Sequence, residues 1–305
     1  MFLYHINNNK LTPIKKVEIK KERDLQNITE ANLNQIFNLR FIASEFQVDN
    51  FRIDTLAFNE ETNAFVIIEY KKNQNYSVID QGYSYLSILL NNKAEFILKY
   101  NENIKESIGK NDVDWSQSTI LFVAPKFNSY QLKAIEFNDI PFELWEISKF
   151  SNNTLLFNKI NTSNSNASIK TVSNITSTTT EVNKEIKVYS EEDHILNKSE
   201  DAQDFYREFK DRIFNEFPNS EIYYTKYYFG FKNNNTIFCT CILQQNLIKV
   251  WFTVKGKLDD YKNLTRDVSN IGHHGLGNYE IKIPIGSDLN YPLSLIKQAY
   301  DEINQ

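Results

Sequence analysis

Between Asn161 and Thr180, 15 of 20 residues are Ser, Thr or Asn, with no aromatic residue and one charge. Such a stretch cannot bury enough apolar surface to offset the entropy of ordering it. It reads as a mobile linker from about Ser151 to Asn183, and it divides the 305-residue chain into two parts of domain size. The expected organisation is a first domain over 1–150, a linker over 151–185 and a second domain over 186–305.

With 41% hydrophobic, 14% aromatic and 24% charged residues, wholesale disorder and fibrous repeats are excluded. Apolar runs such as Phe65-Val66-Ile67-Ile68 fall far short of the roughly 20 residues of a membrane helix. The N-terminus carries no targeting pattern, so a cytoplasmic location without a membrane partner is expected. The net charge of −5 is evenly spread, with 17 basic and 20 acidic residues over 1–150 and 17 and 19 over 151–305. Coating of nucleic acid rests on phosphate neutralisation, and this balance argues against it. An enzyme acting on DNA would need a local basic patch or a homodimer. Cys239 and Cys241, two apart in an apolar run, project from one face of a strand. A disulfide framework is excluded, no histidines accompany them at zinc spacing, and core packing is the expectation.

Apolar periodicity predicts a helix within 17–42, strands at Phe41–Val48, Phe51–Asn59 and Ala64–Lys71, and a helix over Tyr76–Asn92. Further strands are expected at Phe96–Lys99, Thr119–Ala124 and Phe142–Ile147, with a helix over Tyr130–Asn138. That order is an α/β fold, a mixed sheet flanked by helices. The second part reads as a smaller α+β domain. A helix over Ala202–Phe217 precedes strands at Ile222–Phe231, Thr236–Leu243, Leu247–Val254 and Glu280–Ile285, and a helix over Leu293–Ile303 closes it.

Glu69-Tyr70-Lys71 places a carboxylate and an ammonium on one face of a strand, and Asp54 lies on its hairpin partner. Two carboxylates on adjacent strands can converge on one hard divalent cation, with a lysine beside them to polarise a phosphate or orient a water. Glu-x-Lys recurs elsewhere, as in Glu18-Ile19-Lys20 and Glu280-Ile281-Lys282. Only Glu69 follows a run as apolar as Phe65–Ile68 beside a partner strand with its own acid.

Arg52-Ile53-Asp54-Thr55-Leu56, Ile67-Ile68-Glu69-Tyr70-Lys71-Lys72 and Gln81-Gly82-Tyr83-Ser84-Tyr85 resemble the PD-(D/E)XK nuclease superfamily with the Gln-x-x-x-Tyr motif of RecB-like nucleases. The resemblance covers roughly 17–148 and implies a restriction-endonuclease-like fold and a Mg²⁺- or Mn²⁺-dependent DNA endonuclease. It implies Asp54 and Glu69 as metal ligands, Lys71 as the catalytic lysine, and Gln81 and Tyr85 as residues that hold substrate and shape the site. It also implies an acid from the first helix, for which Glu22 is preferred over Glu30, and a setting in restriction or phage defence. Isoleucine stands where the motif's name has proline.

Glu192-Asp193-His194-Ile195-Leu196, Leu264-Thr265-Arg266-Asp267-Val268 and Ile271–Glu280 resemble an uncharacterised bacterial domain, often labelled a predicted transport protein and found fused to such nucleases. No apolar segment supports that label. Arg266, Asp267, His273, His274, Glu280 and three glycines fall within 17 residues, more ionisable chemistry than a turn requires, and form a candidate ligand or recognition site. The alternative is local architecture, with Asp267 capping backbone and the histidines packing. A rival reading of the whole chain is a catalytically idle nuclease fold whose second domain recognises a nucleotide or a partner.

Overall fold

The computed structural model describes residues 3–19, 21–71, 77–137, 139–160, 168 and 176–304. They form two compact units, Met1–Val188 and Tyr189–Gln305. Most of the Ser/Thr/Asn-rich stretch, and Lys72 of the second nuclease-like motif, lie outside the described residues.

The first unit opens with a hairpin, β1 (Leu3–Asn7) and β2 (Lys10–Ile14), turned by Asn8 and Asn9 at positive φ. After β3 (Lys16–Val17) come helices α1 (Glu22–Glu30) and α2 (Leu33–Phe37). Next are strands β4 (Arg40–Val48), β5 (Phe51–Asn59) and β6 (Ala64–Tyr70), then helices α3 (Val78–Asn91) and α4 (Lys93–Asn103). The series continues through β7 (Thr119–Ala124), α5 (Ser129–Ala134), β8 (Phe142–Phe150), β9 (Leu155–Lys159) and α6 (Ser177–Glu185).

Seven strands form one mixed sheet in the order β3-β8-β7-β6-β5-β4, with β9 on β8. The β6–β7 and β7–β8 pairs are parallel and the others antiparallel. This is an α/β fold, a mixed sheet with helices on both faces. Phe65 and Ile67 of β6 join one core with Leu86, Leu89, Phe96 and Tyr100 of α3 and α4; Val66, Ile68 and Tyr70 join the other with Leu25 and Leu33 of α1 and α2. Every residue of β6 is buried, as expected of a strand covered on both faces.

Two expectations are corrected here. Phe96–Lys99 lies in helix α4, because Phe96 and Tyr100, one helical turn apart, are the residues buried while Leu98 is 54% exposed. The expected linker opens with β9 paired to β8 and closes with α6, whose Val182 packs into the first core.

The second unit contains α7 (Glu191–Ile195), α8 (Glu200–Glu216), β10 (Ser220–Tyr224), β11 (Phe229–Asn233), β12 (Thr236–Leu243), β13 (Leu247–Phe252), β14 (Thr265–Asp267), β15 (Tyr279–Pro284) and α9 (Asn290–Ile303). Its six strands form an antiparallel sheet ordered β10-β11-β12-β13-β15-β14, the α+β arrangement expected. The stretch read as one strand, Ile222–Phe231, is two, folded back at Thr225–Tyr228. Cys239 and Cys241 are unpaired and buried in the core beneath α8 and α9. Among the described residues no helix is long and apolar enough to cross a membrane.

Candidate active site

Glu69 is the penultimate residue of β6 and only 4% exposed, because the strand lies between β5 and β7 with helices on both faces. A carboxylate so placed must find partners, since a buried unpaired charge is costly. Lys71 Nζ lies 2.6 Å from Glu69 Oε1, and Gln81 Nε2 donates to the same oxygen at 3.1 Å. Glu69 Oε2 is buried and receives no hydrogen bond from the described residues, and neither does Gln81 Oε1. Asp54, on β5, points to the same face; its Oδ2 accepts the Tyr70 N–H at 3.0 Å.

Helix α3 delivers the other two motif residues. Ser77 caps its start, accepting from the Asp80 N–H, and the helix sets Gln81 and Tyr85 one turn apart. Gly82 lets α3 lie close on the sheet, for a Cβ there would stand 2.6 Å from the Phe142 ring. Gln81 Nε2 also donates to the Tyr85 hydroxyl at 3.4 Å, and that hydroxyl reaches the Arg52 carbonyl at 3.4 Å. Burial, and then the charge of Glu69, push the Tyr85 phenol upward, so it stays a donor. Asp54, Glu69, Lys71, Gln81 and Tyr85 therefore lie together.

Burial, then repulsion from Glu69, raises Asp54 to about 6, with the Tyr70 N–H and Lys71 opposing and Glu45 adding to the rise. Two crowded carboxylates at neutral pH are what a hard cation would relieve. Glu69 Oε2, buried without a donor, and the Asp54 carboxylate supply the oxygen chemistry Mg²⁺ or Mn²⁺ takes, so the residues fit such an ion. Among the described residues no group of three or more His, Cys, Asp or Glu is placed to hold a metal, so the protein's share would be a carboxylate pair.

The raised value carries a prediction about stability. Below about pH 3 Asp54 is protonated in both folded and unfolded chains and costs nothing; from there to about pH 6 ionising it increasingly favours the unfolded chain. Asp54→Asn should therefore stabilise the first unit at pH 7 to 8 by about 1–2 kcal/mol given the group's partial exposure, seen as a raised melting temperature, and give no gain below about pH 3. Thermal scans across pH check this; a pH-independent difference would contradict it.

Glu22 is not where the first-helix acid was expected to be useful. It is the exposed first residue of α1, while the carboxylates that bear on Asp54 are Glu69 and Glu45. The helix instead sends Gln26 Nε2 to the Asp54 carbonyl at 2.8 Å, and Glu30 accepts from Gln26 and from Thr55 on the opposite face of β5. Glu45, which sequence reasoning passed over, lies between the register pairs Ser44–Thr55 and Phe46–Ile53, hence opposite Asp54. No local motif marks it; only strand register brings it there.

In the second unit, Arg266 faces Glu280 across β14 and β15, with Nη2 3.1 Å from Oε1, and Lys249 Nζ is 4.0 Å from the same carboxylate. Trp251 sits opposite Glu280 on β13, and the His273 ring stacks on it at 5.5 Å and 10°. His274 stacks on Tyr227 at 4.8 Å. Gly275 fits against Trp251 and Thr240 where a Cβ would not. Asp267 accepts the Ser269 N–H at 2.8 Å and its hydroxyl at 2.6 Å, which hold it below the usual carboxylate range. Arg266 and His273 thus share the sheet face away from α8 and α9, while Asp267 caps its own turn.

Residues 191–303 match the family model described as a domain of unknown function (DUF5655). Among solved structures, a repair endonuclease from Pyrococcus abyssi is 18% identical over 40% of this chain and 45% of its own, with a TM-score of 0.27. The structure of an EndoMS–double-stranded DNA complex is 14% identical over 45% of this chain and 51% of its own, with a TM-score of 0.28. The chain spans about half the length of these two structures. A protein of Haemophilus influenzae, described as uncharacterized, is 47% identical over 300 residues, which cover 98% of this chain and 99% of the relative. With that identity along nearly the whole of both sequences, the chain belongs to the same family as the H. influenzae protein.

Proposed function

We propose that the first unit hydrolyses phosphodiester bonds of DNA as a Mg²⁺- or Mn²⁺-dependent endonuclease. The observation that carries the reading is the pair of carboxylates on β5 and β6, one with a buried oxygen that receives no hydrogen bond from the described residues, beside a lysine and a glutamine. Asp54 and Glu69 would hold the cation, which when bound would polarise the phosphate and make water a better nucleophile at neutral pH.

The chain's own residues supply the rest. Lys71 Nζ, fixed on Glu69, carries a positive charge beside the place where charge develops on the phosphate oxygens. Gln81 holds Glu69 Oε1, which leaves Oε2 for the cation. Tyr85, protonated and tied to the Arg52 carbonyl, keeps Gln81 and the start of β5 in place. DNA is the substrate class the motifs suggest, with a homodimer as one way to assemble enough positive charge. Restriction or phage defence is the setting the family resemblance suggests, by analogy alone.

The rival reading, an idle nuclease fold with recognition in the second unit, has one observation in its favour. Lys71 already neutralises Glu69 at 2.6 Å, a contact that could stand in for a cation permanently. Calorimetric titration with Mn²⁺ tests the proposal against it. Uptake by the wild-type chain and loss of uptake in Asp54→Ala is the expected result; no uptake by the wild type would leave the nuclease reading without its metal.

A further inference from the structure

Glu45 is gripped by two arginines. Arg23 Nη1 from the first turn of α1 lies 2.9 Å from Oε1, and Arg52 Nε from β5 lies 2.8 Å from Oε2. One carboxylate needs one counter-charge, so the trio carries a net positive charge. That charge faces water: the Arg23 and Arg52 side chains are 61% and 63% exposed, against 26% for Glu45. Each guanidinium has five N–H donors in a fixed fork, and Glu45 occupies only one edge of each.

The trio's position is as specific as its composition. Glu45 stands opposite Asp54, its charge bears on Asp54, and the Arg52 carbonyl is the group that receives the Tyr85 hydroxyl. Glu45 also has φ of 52°, a left-handed conformation in the middle of an edge strand. For a residue other than glycine this is a strained conformation, and such outliers cluster at functional sites. The sequence has no basic surplus to attract a polyanion, and the site itself is crowded with carboxylates. A strand of nucleic acid entering it needs cations at the rim, and arginine forks match phosphate geometry better than lysine does.

We infer that Arg23 and Arg52, gathered by Glu45, form a phosphate clamp that seats a backbone phosphate of the nucleic-acid strand beside the Asp54–Glu69 pair. The inference rests on the nuclease reading for its substrate but can be tested without metal or cleavage. Binding of a fluorescent DNA oligonucleotide to the full-length chain is measured in chelator by anisotropy, over a range of salt, for wild type, Arg23→Ala/Arg52→Ala and Arg52→Lys. The double variant should bind at least about tenfold more weakly, with the slope of log affinity against log salt reduced by about 1.5–2, one phosphate contact's worth per arginine. Arg52→Lys, which keeps the charge but not the fork, should fall between them. Inorganic phosphate at the concentration of oligonucleotide phosphate should not displace the DNA; equal displacement would mean that the clamp takes a free anion, and would overturn the inference. So would wild-type affinity and slope in the double variant, or no DNA binding by the wild type. Both arginines are exposed, so melting temperature should hardly move; if the double variant unfolds, Arg52→Gln carries the same comparison. Wild type that binds through the clamp but never cleaves with Mg²⁺ would count against the nuclease reading alone. Cleavage with unaltered Michaelis constant in the double variant would count against the clamp alone.

Discussion

Glu69→Gln is expected to lower Mg²⁺-dependent DNA cleavage on the order of a thousandfold, the scale seen when one electrostatic contact to a transition state is lost, while the chain stays folded. Glutamine fills the same volume at a position 4% exposed, and its carbonyl can still accept from Lys71 and Gln81. What changes is the charge and the chemistry of the second atom: the oxygen that receives no hydrogen bond from the described residues becomes an NH₂ group, which would repel a cation. The substitution therefore removes the proposed metal ligand without a cavity. Initial rates of plasmid nicking, with near-ultraviolet circular dichroism on the same samples, check it. A folded variant that retains a tenth of the wild-type rate would contradict the assignment of Glu69.

Phe65→Ala is expected to destabilise the first unit by about 3–5 kcal/mol, the usual cost of truncating a fully buried phenylalanine. Phe65 has no exposed surface and sits at the crossing of three elements. Its ring makes edge contacts with Phe58 on β5 at 5.2 Å and Phe96 on α4 at 5.6 Å, and stacks on Trp115 at 5.5 Å. Three rigid rings cannot close a gap of that size, so the cavity persists. Leu98→Ala on the same helix as Phe96, at a position 54% exposed, should change stability by less than about 0.5 kcal/mol. Urea unfolding followed by tryptophan fluorescence, with Trp251 replaced by phenylalanine so that only Trp115 and Trp145 of the first unit emit, separates the two. Because the chain has two compact units, the comparison uses the transition that the first unit's tryptophans report.

The strands that carry the proposed site are legible because local pattern and burial agree. Phe51–Asn59 is a strand over the expected range, and the turn at Glu60–Asn63 that pairs it with β6 contains Asn63 at φ 51°. The same agreement marks Thr236–Leu243, whose hairpin turns on Asn234 and Asn235 at positive φ, the residues such turns favour. Where pattern failed, the reason is physical. Phe96–Lys99 is too short an apolar run to tell strand from helix without knowing that Phe96 and Tyr100 share a face. The turn at Thr225–Tyr228 contains no glycine, proline or asparagine, and its aromatic pair Tyr227 and Tyr228 reads as strand.

The site divides along the same line. Asp54, Glu69 and Lys71 are two adjacent strands' worth of spacing and Gln81 with Tyr85 is one helical turn, but it is the family resemblance, not spacing, that joins the two groups. Glu45, Arg23 and Arg52 could not be seen as a group, because their meeting depends on the register of β4 against β5 and on where α1 begins. In the second unit, Arg266, His273, His274 and Glu280 stand out by composition, but that Arg266 meets Glu280 across two strands, and that the histidines stack on Trp251 and Tyr227, follows only from the tertiary fold.

Cleavage of supercoiled plasmid is the most direct test of the central claim that the Asp54–Glu69–Lys71 group does phosphodiester chemistry. Wild-type protein with Mg²⁺ should convert supercoiled DNA to nicked and linear forms and should stop on addition of chelator. Asp54→Ala, shown folded by its melting transition, should leave the plasmid intact under the same conditions. Equal cleavage by wild type and Asp54→Ala, or none by well-folded wild type with either Mg²⁺ or Mn²⁺ on both double-stranded and single-stranded circles, would contradict the account.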